Sequence, residues 1–385
     1  MSRPLRVAML AHSTIPRGGV VHAMNLCEAL DSLGCECVLH APDARGDGFF
    51  RSAPRRTIAF PVLPAPRDTF AMVEQRVADY VEWFRRPENR GFDLYHAHDG
   101  ISGNALARLR DEGLIPSHIR TVHHIDAFDD ERVAGLQAHA IRAADALFVV
   151  SAHWRKQLAE AFGVESEIGG NGVDLARYSS SIDGSEPRLR TRLHLGDGPV
   201  FLSVGGAEAR KNTVRILQAF HAVLAERGDA RLIIAGGESL LDHSAYQAKF
   251  VAQLARMGDG AAAVVRTGTL VDADMPGLYR LATALVCASV AEGFGLCVLE
   301  ALASGIPTVV SRIEPFVGYL GENDVLWCDP LTPASIAAAM RAALREDVAV
   351  AARTCGAAVA ARFDWRGVAL RHLPLYRRLR EPAHA

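Results

Sequence analysis

"CASVAEGFGLCVLEALASGIPTVVS", residues 287–311, packs a whole structural unit into one short stretch. An apolar run ends near Ser289, and a loop carries Glu292 into Gly293-Phe294-Gly295. Apolar residues of helical spacing follow through Glu300, Gly305 stops them, and Pro307 opens the apolar run "TVVS". The order strand, loop, helix, strand is the repeating unit of an open α/β sheet, in which ligands collect beyond the carboxyl ends of the strands. The helix starting near Gly295 aims free N–H groups and its positive dipole end at the Glu292 loop. Backbone amides suit an anion there, and Glu292 and Glu300, with seven residues between them, suit hydroxyl groups.

The same alternation extends outward in both directions. Short apolar runs precede the stretch: "RVAMLAH", "CVLHAP", "DLYHAH", "IRTVHH" and "ALFVVS" in the first half, "PVFLSVG", "RLIIAGG" and "AAVVRTG" in the second. "TALVCAS" leads into it, and "VLWCDP" follows. Continuously apolar strands suit parallel sheets covered on both faces. Between them "AMNLCEALDSLG" and "TVRILQAFHAVLAERG" carry apolar residues at the spacing of packed crossover helices. The pattern runs twice, so the fold class is α/β with two doubly wound Rossmann-like domains. The polar, Ser- and Gly-rich segment 179–198 divides them. The expected domains are 1–180, 181–365 and a last helix over 366–385 packing back on the first domain. Residues 70–86 form an amphipathic helix whose polar face mixes acids with arginines, the mark of core packing rather than of a lipid interface.

Bulk properties narrow the function. A chain of 385 residues with a formal charge of −2 has no broad basic face, which argues against nucleic acid as a partner. Seven scattered cysteines, an odd number, read as reduced thiols, and no signal peptide or membrane span is visible. The expected location is cytoplasmic, with membrane contact at most peripheral at the inner face. Gly18-Gly19 follows the first strand without G-x-G-x-x-G, which disfavours a nicotinamide dehydrogenase.

Several motifs in a fixed order resemble the retaining glycosyltransferases of family 4, which have the GT-B fold: two Rossmann-like domains facing across a cleft. They are "GGVVHAMNL" at 18–26, "DLYHAHD" at 93–99, "TVHH" at 121–124, "VVSAHW" at 149–154, "NGVDLARY" at 171–178, "VGGAEARKNTVRILQAF" at 204–220 and "EGFGLCVLE" at 292–300. The last is the E-x7-E motif. The resemblance implies transfer of a hexose-type sugar from a nucleoside-diphosphate sugar, UDP- or GDP-linked, to an acceptor hydroxyl of a saccharide, lipid or small molecule. It implies no metal and no cofactor beyond that co-substrate, and no Asp-x-Asp metal motif stands in a suitable loop.

Carried over residue by residue, the resemblance makes Glu292 the contact to the donor sugar and Glu300 the contact to the ribose. Gly293, Phe294, Gly295 and Leu296 bring backbone to the donor. Lys211 neutralises the diphosphate. The arginine that usually accompanies it is replaced by Gly206, and Arg210 could supply the missing charge. Gly18 and Gly19 form the first-domain loop over the diphosphate, and Val271 lies where the nucleotide base rests. His123 stands beside the donor sugar and acts through its ring N–H; His98 and Asp99 line the acceptor side. Asn171–Asp174 reads as a structural turn, and His96 as a satisfied, half-buried histidine. Asp242 and His243 sit on a loop within reach of a nucleotide.

Two other readings stay open. His96, His98, His123 and Asp99 could ligate one ion in a metal-dependent hydrolase. A nucleotide-sugar-binding protein or epimerase of the same fold would account for the missing arginine.

Overall fold

The computed structural model describes residues 3–52, 56–237 and 244–380. Asp242 and His243 lie outside the described residues. The chain forms two compact units: residues up to Gly172 together with the segment from Trp365 onward, and Val173–Asp364. The first unit ends before the border of 180 read from composition. Val173 donates its N–H to Phe363 O at 2.8 Å, and the Tyr178 ring meets Tyr279 edge-on at 5.6 Å. Both contacts tie residues 173–180 to the second unit.

In the N-terminal unit the strands are β1 (Arg6–Leu10), β2 (Glu36–Asp43), β3 (Thr57–Pro61), β4 (Leu94–Ala97), β5 (His118–Val122), β6 (Ala146–Val149) and β7 (Glu167–Ile168). They form one parallel sheet in the order β3-β2-β1-β4-β5-β6-β7. The helices are α1 (Gly18–Ser32), α2 (Thr69–Arg85), α3 (Gly100–Asp111), α4 (Glu131–Arg142) and α5 (Ala152–Phe162). The apolar stripe of α2 is core: Val77, Tyr80, Val81 and Phe84 are buried in one cluster with Phe60 and Tyr95. The sequence reading missed two edge strands, β3, which ends on a proline, and β7, which has two residues.

In the C-terminal unit the strands are β8 (Val200–Val204), β9 (Arg231–Ala235), β10 (Val264–Gly268), β11 (Ala284–Cys287), β12 (Thr308–Ser311) and β13 (Leu326–Cys328). They form a second parallel sheet, β10-β9-β8-β11-β12-β13. The helices are α6 (Glu186–Arg192), α7 (Thr213–Leu224), α8 (Ser244–Ala255), α9 (Met275–Leu281), α10 (Leu296–Ala303), α11 (Pro333–Ala342) and α12 (Glu346–Ala360). Phe201, Phe220, Ile234 and Phe250 sit in its core. The last helix, α13 (Trp365–Arg380), packs on α1 and belongs to the N-terminal unit.

Each sheet reverses its winding once, between β1 and β4 and between β8 and β11. Neighbouring loops part at such a reversal and leave a crevice at the strands' carboxyl ends. The loop after β1 leads to Gly18 and Gly19 at the start of α1, and the loop after β4 carries His98; the loops after β8 and β11 carry Arg210, Lys211 and Glu292.

Candidate active site

The C-terminal site is built by two loops that hold each other. Past β8, Gly205 and Gly206 both have positive φ (122° and 72°) and donate their N–H groups to Ala235 O. A Cβ on Gly205 would stand 2.5 Å from Lys211 Cε, so the bare backbone gives the lysine stem its channel. The chain then turns tightly, with Glu208 O accepting from the N–H groups of Lys211 and Asn212. Asn212 takes a left-handed φ of 59° and donates its side-chain amide to Ala288 O at 2.9 Å and Pro330 O at 2.7 Å. Val290 N–H donates to Arg210 O at 2.9 Å.

This turn sends two consecutive cations to one carboxylate. Lys211 Nζ reaches Glu292 Oε1 at 2.5 Å, and Arg210 Nη1 reaches Glu292 Oε2 at 2.8 Å. Ser289 Oγ donates to Glu292 Oε1 at 2.8 Å. Burial alone would push the Glu292 carboxyl up, but Lys211 and Arg210 outweigh it and bring its pKa to about 2. Burial would push the Lys211 ammonium down; Glu292 outweighs that and raises it. The buried Glu208 carboxylate also lies 3.9 Å from Arg210, so two carboxylates and two cations share the site. Arg210 stands in the loop that follows Gly206, the position where the sequence lacks an arginine. An arginine could not simply be put back, because Gly206 has left-handed φ and a Cβ there would lie 2.9 Å from Gly237 O.

Gly295 caps α10 with φ 92°, and a Cβ on it would overlap the Phe316 ring. Phe294 points inward: it is 7% exposed, stacks on Tyr319 at 4.5 Å and accepts the Tyr319 hydroxyl on its carbonyl at 2.6 Å. Its side chain is therefore an anchor, and the backbone of Gly293–Leu296 is what the loop presents. Beneath it the free thiols of Cys287 and Cys297 lie 4.0 Å apart.

Glu300, in the same unit, lies among tyrosines and near the Arg177–Asp272 ion pair. Tyr279 Oη donates to Glu300 Oε2 at 2.6 Å. Burial raises the Glu300 pKa against the opposing pull of Tyr279, Arg177 and Tyr178. Arg177 pairs with Asp272 at 2.6 Å, next to Val271, which is 66% exposed. Tyr279 escaped the sequence reading because it stands in no motif, and Tyr178 because it closes the 171–178 motif, whose first residues read as a turn.

In the N-terminal unit the site is a stack of neutral rings. Gly18 and Gly19 open α1, and Arg17 makes no side-chain cap on its N-terminus. Gly19 lies against His123, a Cβ on it being 3.4 Å from His123 Cδ2. His22, one turn on, bonds Asn171 Oδ1 at 2.7 Å through Nδ1 and meets the His123 ring edge-on at 4.7 Å. Asn171 is thus more than a turn residue. His96 is fully buried with both nitrogens engaged, Nδ1 with Tyr376 Oη and Nε2 with Thr121 Oγ1 at 2.8 Å. It has no lone pair to offer a metal ion, and the described residues contain no group of three potential ligands in position to hold one. His98 is 3% exposed, closed in by Met9 and His123, which corrects its assignment to the acceptor side. Asp99 caps α3 by accepting Ser102 N–H at 2.8 Å. His372 of α13 joins the cluster, its ring 5.9 Å from that of His96, and burial lowers the pKa of all five rings, His22 to about 4, His372 to about 3, and His96, His98 and His123 well below the usual value.

Comparison with solved structures places the architecture. The chain is similar to sucrose-phosphate synthase from Thermosynechococcus elongatus, with a TM-score of 0.78 at 20% identity, covering 97% of this chain and 99% of that one. It is similar to Anabaena HepE in complex with UDP-glucose, at 0.77 and 16% identity over 97% and 100%. The fold is GT-B. Residues 16–177 match the family described as Glycosyltransferase Family 4, and residues 186–358 that described as Glycosyl transferases group 1. A curated relative, the D-inositol 3-phosphate glycosyltransferase of Acidothermus cellulolyticus, is 27% identical over 97% of this chain and 90% of its own. Glycogen synthase of Mycobacterium tuberculosis is 29% identical over 74% and 68%. The chain belongs to the family 4 glycosyltransferases and is a glycosyltransferase enzyme. Among the described residues no helix is long and apolar enough to cross a membrane.

Proposed function

We propose that this glycosyltransferase moves a hexose-type sugar from a UDP- or GDP-linked donor to an acceptor hydroxyl with retention of anomeric configuration, without a bound metal ion. The observation that carries this reading is the convergence of Lys211 and Arg210 on Glu292 beside the N-terminus of α10. A diphosphate leaving group needs positive charge, and fixed cations with helix amides supply it where a metal ion otherwise would. Glu292, held ionised, accepts sugar hydroxyls; Glu300, between two tyrosines, accepts ribose hydroxyls. The exposed Val271 loop would take the base. His123 and the α1 amides of Gly18 and Gly19 would serve the sugar and phosphate from the N-terminal unit. Support for a nucleotide-sugar donor comes from the similar fold of HepE, whose structures hold UDP and UDP-glucose.

A stability screen against nucleotide sugars should find a UDP- or GDP-sugar that raises stability by about 2–4 kcal/mol at 100–1,000 times its Kd. With that donor, nucleoside diphosphate should be released only when an acceptor is present, at an unchanged rate in chelator, and the product should keep the donor's anomeric configuration. No release with any acceptor would favour the binding-protein or epimerase reading, and release without acceptor would mark hydrolysis of the donor. Loss of activity in chelator with recovery in zinc would favour a hydrolase, and an inverted product would exclude retention.

A further inference from the structure

We propose that His98, itself fixed by Met9, is a positioning residue that turns the Nε2–H of His123 inward and leaves His123 Nδ1 as a bare acceptor for a hydroxyl group. Met9 is completely buried on β1. A thioether sulfur has no proton to give, so its 3.4 Å contact with His98 Nε2 places a proton on that nitrogen. His98 is sealed among rings, His96 at 4.4 Å and His22 at 5.3 Å, where charge on neighbouring imidazoles would be mutually repulsive. A neutral ring holds one N–H, which leaves His98 Nδ1 as a lone pair. The contact of 3.4 Å between His98 Nδ1 and His123 Nε2 is then completed by the proton of His123 Nε2.

His123 is neutral for the same reason, so its remaining nitrogen, Nδ1, is unprotonated. His123 is only partly buried, unlike His98. Its orientation is set from two further sides. The His22 ring packs against it at 76° between planes, and Gly19 faces its Cδ2–Nε2 edge. His96 takes no part in the relay, since Tyr376 and Thr121 occupy both its nitrogens.

The consequence changes the expected role of His123. A bare nitrogen accepts from a sugar hydroxyl and gives nothing to a phosphate oxygen. The ring therefore discriminates for a hydroxyl at one position of the substrate rather than stabilising charge on the leaving group. This rests on the reading of His123 as a donor-sugar contact, and the experiment separates the two.

The test is nitrogen-15 NMR of the full chain labelled at histidine, with His123 assigned by its absence in His123→Gln. The wild type should show His123 protonated at Nε2 and bare at Nδ1. Met9→Leu, which keeps side-chain volume, and His98→Leu should release the ring to a mixture of tautomers. His98→Gln, whose amide oxygen can accept the same N–H, should keep the wild-type form. The donor KM should rise about 3- to 10-fold in Met9→Leu, with kcat little changed, and return toward wild type in His98→Gln. A wild-type ring protonated at Nδ1, or a tautomer unmoved by both leucine variants, overturns the proposal. A tautomer that shifts as expected while KM stays fixed upholds the positioning role and overturns the assignment of His123 to the donor.

Discussion

The two units bury polar side chains in opposite ways. Around His123 the N-terminal unit collects imidazoles, hydroxyls, an amide and a thioether, all neutral, bonded to one another or packed ring against ring. Around Glu292 the C-terminal unit buries full charges and keeps them by pairing one carboxylate with two cations. Neutral rings give direction to a hydrogen bond and so distinguish hydroxyls. Cations fixed in advance suit a group that becomes more anionic as it leaves. A nucleotide sugar presents both kinds of chemistry, hydroxyls on the sugar and charge on the diphosphate.

The comparison breaks most sharply at Glu292 and Lys211. Either residue changed to alanine should lower transfer by about 10²-fold or more, as loss of a transition-state charge contact does, measured as kcat/KM under saturating acceptor. Removing Glu292 also takes from Lys211 and Arg210 the carboxylate they share, so the loss should exceed that of Arg210→Ala. Near-wild-type rates in either variant would remove the charged loop from the reaction.

A smaller effect tests whether Arg210 has taken over the charge missing at Gly206. Arg210→Ala should cost about 10-fold, the worth of one charge-assisted hydrogen bond. Adding Gly206→Arg to it should not restore activity, because the Cβ at 206 meets the Gly237 carbonyl. Full recovery in the double variant would show that the loop tolerates the family's usual arrangement.

Acid should separate the units by stability. The folded-state pKa values of His22 and His118 are brought to about 4, and those of His40 and His372 to about 3, in each case by burial. The unfolded chain therefore takes up protons first as pH falls below the ordinary histidine value of 6.5. Stability of the N-terminal unit is complete above that pH and declines from 6.5 down to about 4 or 3, by about 1.4 kcal/mol per pH unit for each ring that stays neutral. Glu292 has the same sign of shift on a different group: its contribution holds above the ordinary glutamate value of 4.5 and is lost only toward about 2. Hydrogen exchange followed by peptide, corrected for intrinsic rates, should show residues 118–122 losing protection by pH 5 while 284–300 keep theirs. The reverse order would contradict this account of the buried groups.

The charged cluster of the C-terminal unit was legible because its chemistry is local in sequence. Arg210 and Lys211 are adjacent, and the Glu292 loop and α10 are contiguous, so strand-end position and glycine spacing sufficed. Their convergence on one carboxylate was not legible, since it depends on the left-handed turn at Asn212. The neutral cluster of the N-terminal unit was only partly visible. His22 could have been read, standing one turn after Gly18-Gly19 on the same helix face. Tyr376, Met9 and Tyr279 could not: they meet His96, His98 and Glu300 across 280, 89 and 21 residues of chain, by packing alone. The fold emerged from apolar runs long enough to show their period, and the two strands that escaped, β3 and β7, are short edges with little burial to mark them.

Calorimetric titration with UDP or GDP, and in parallel with the corresponding nucleoside, addresses the site most directly. Changing Arg210 and Lys211 together to alanine should weaken the diphosphate by about 10²-fold or more and leave the nucleoside unaffected. Unchanged affinity for the diphosphate, or equal losses for both ligands, would contradict the assignment of those two cations to a pyrophosphate.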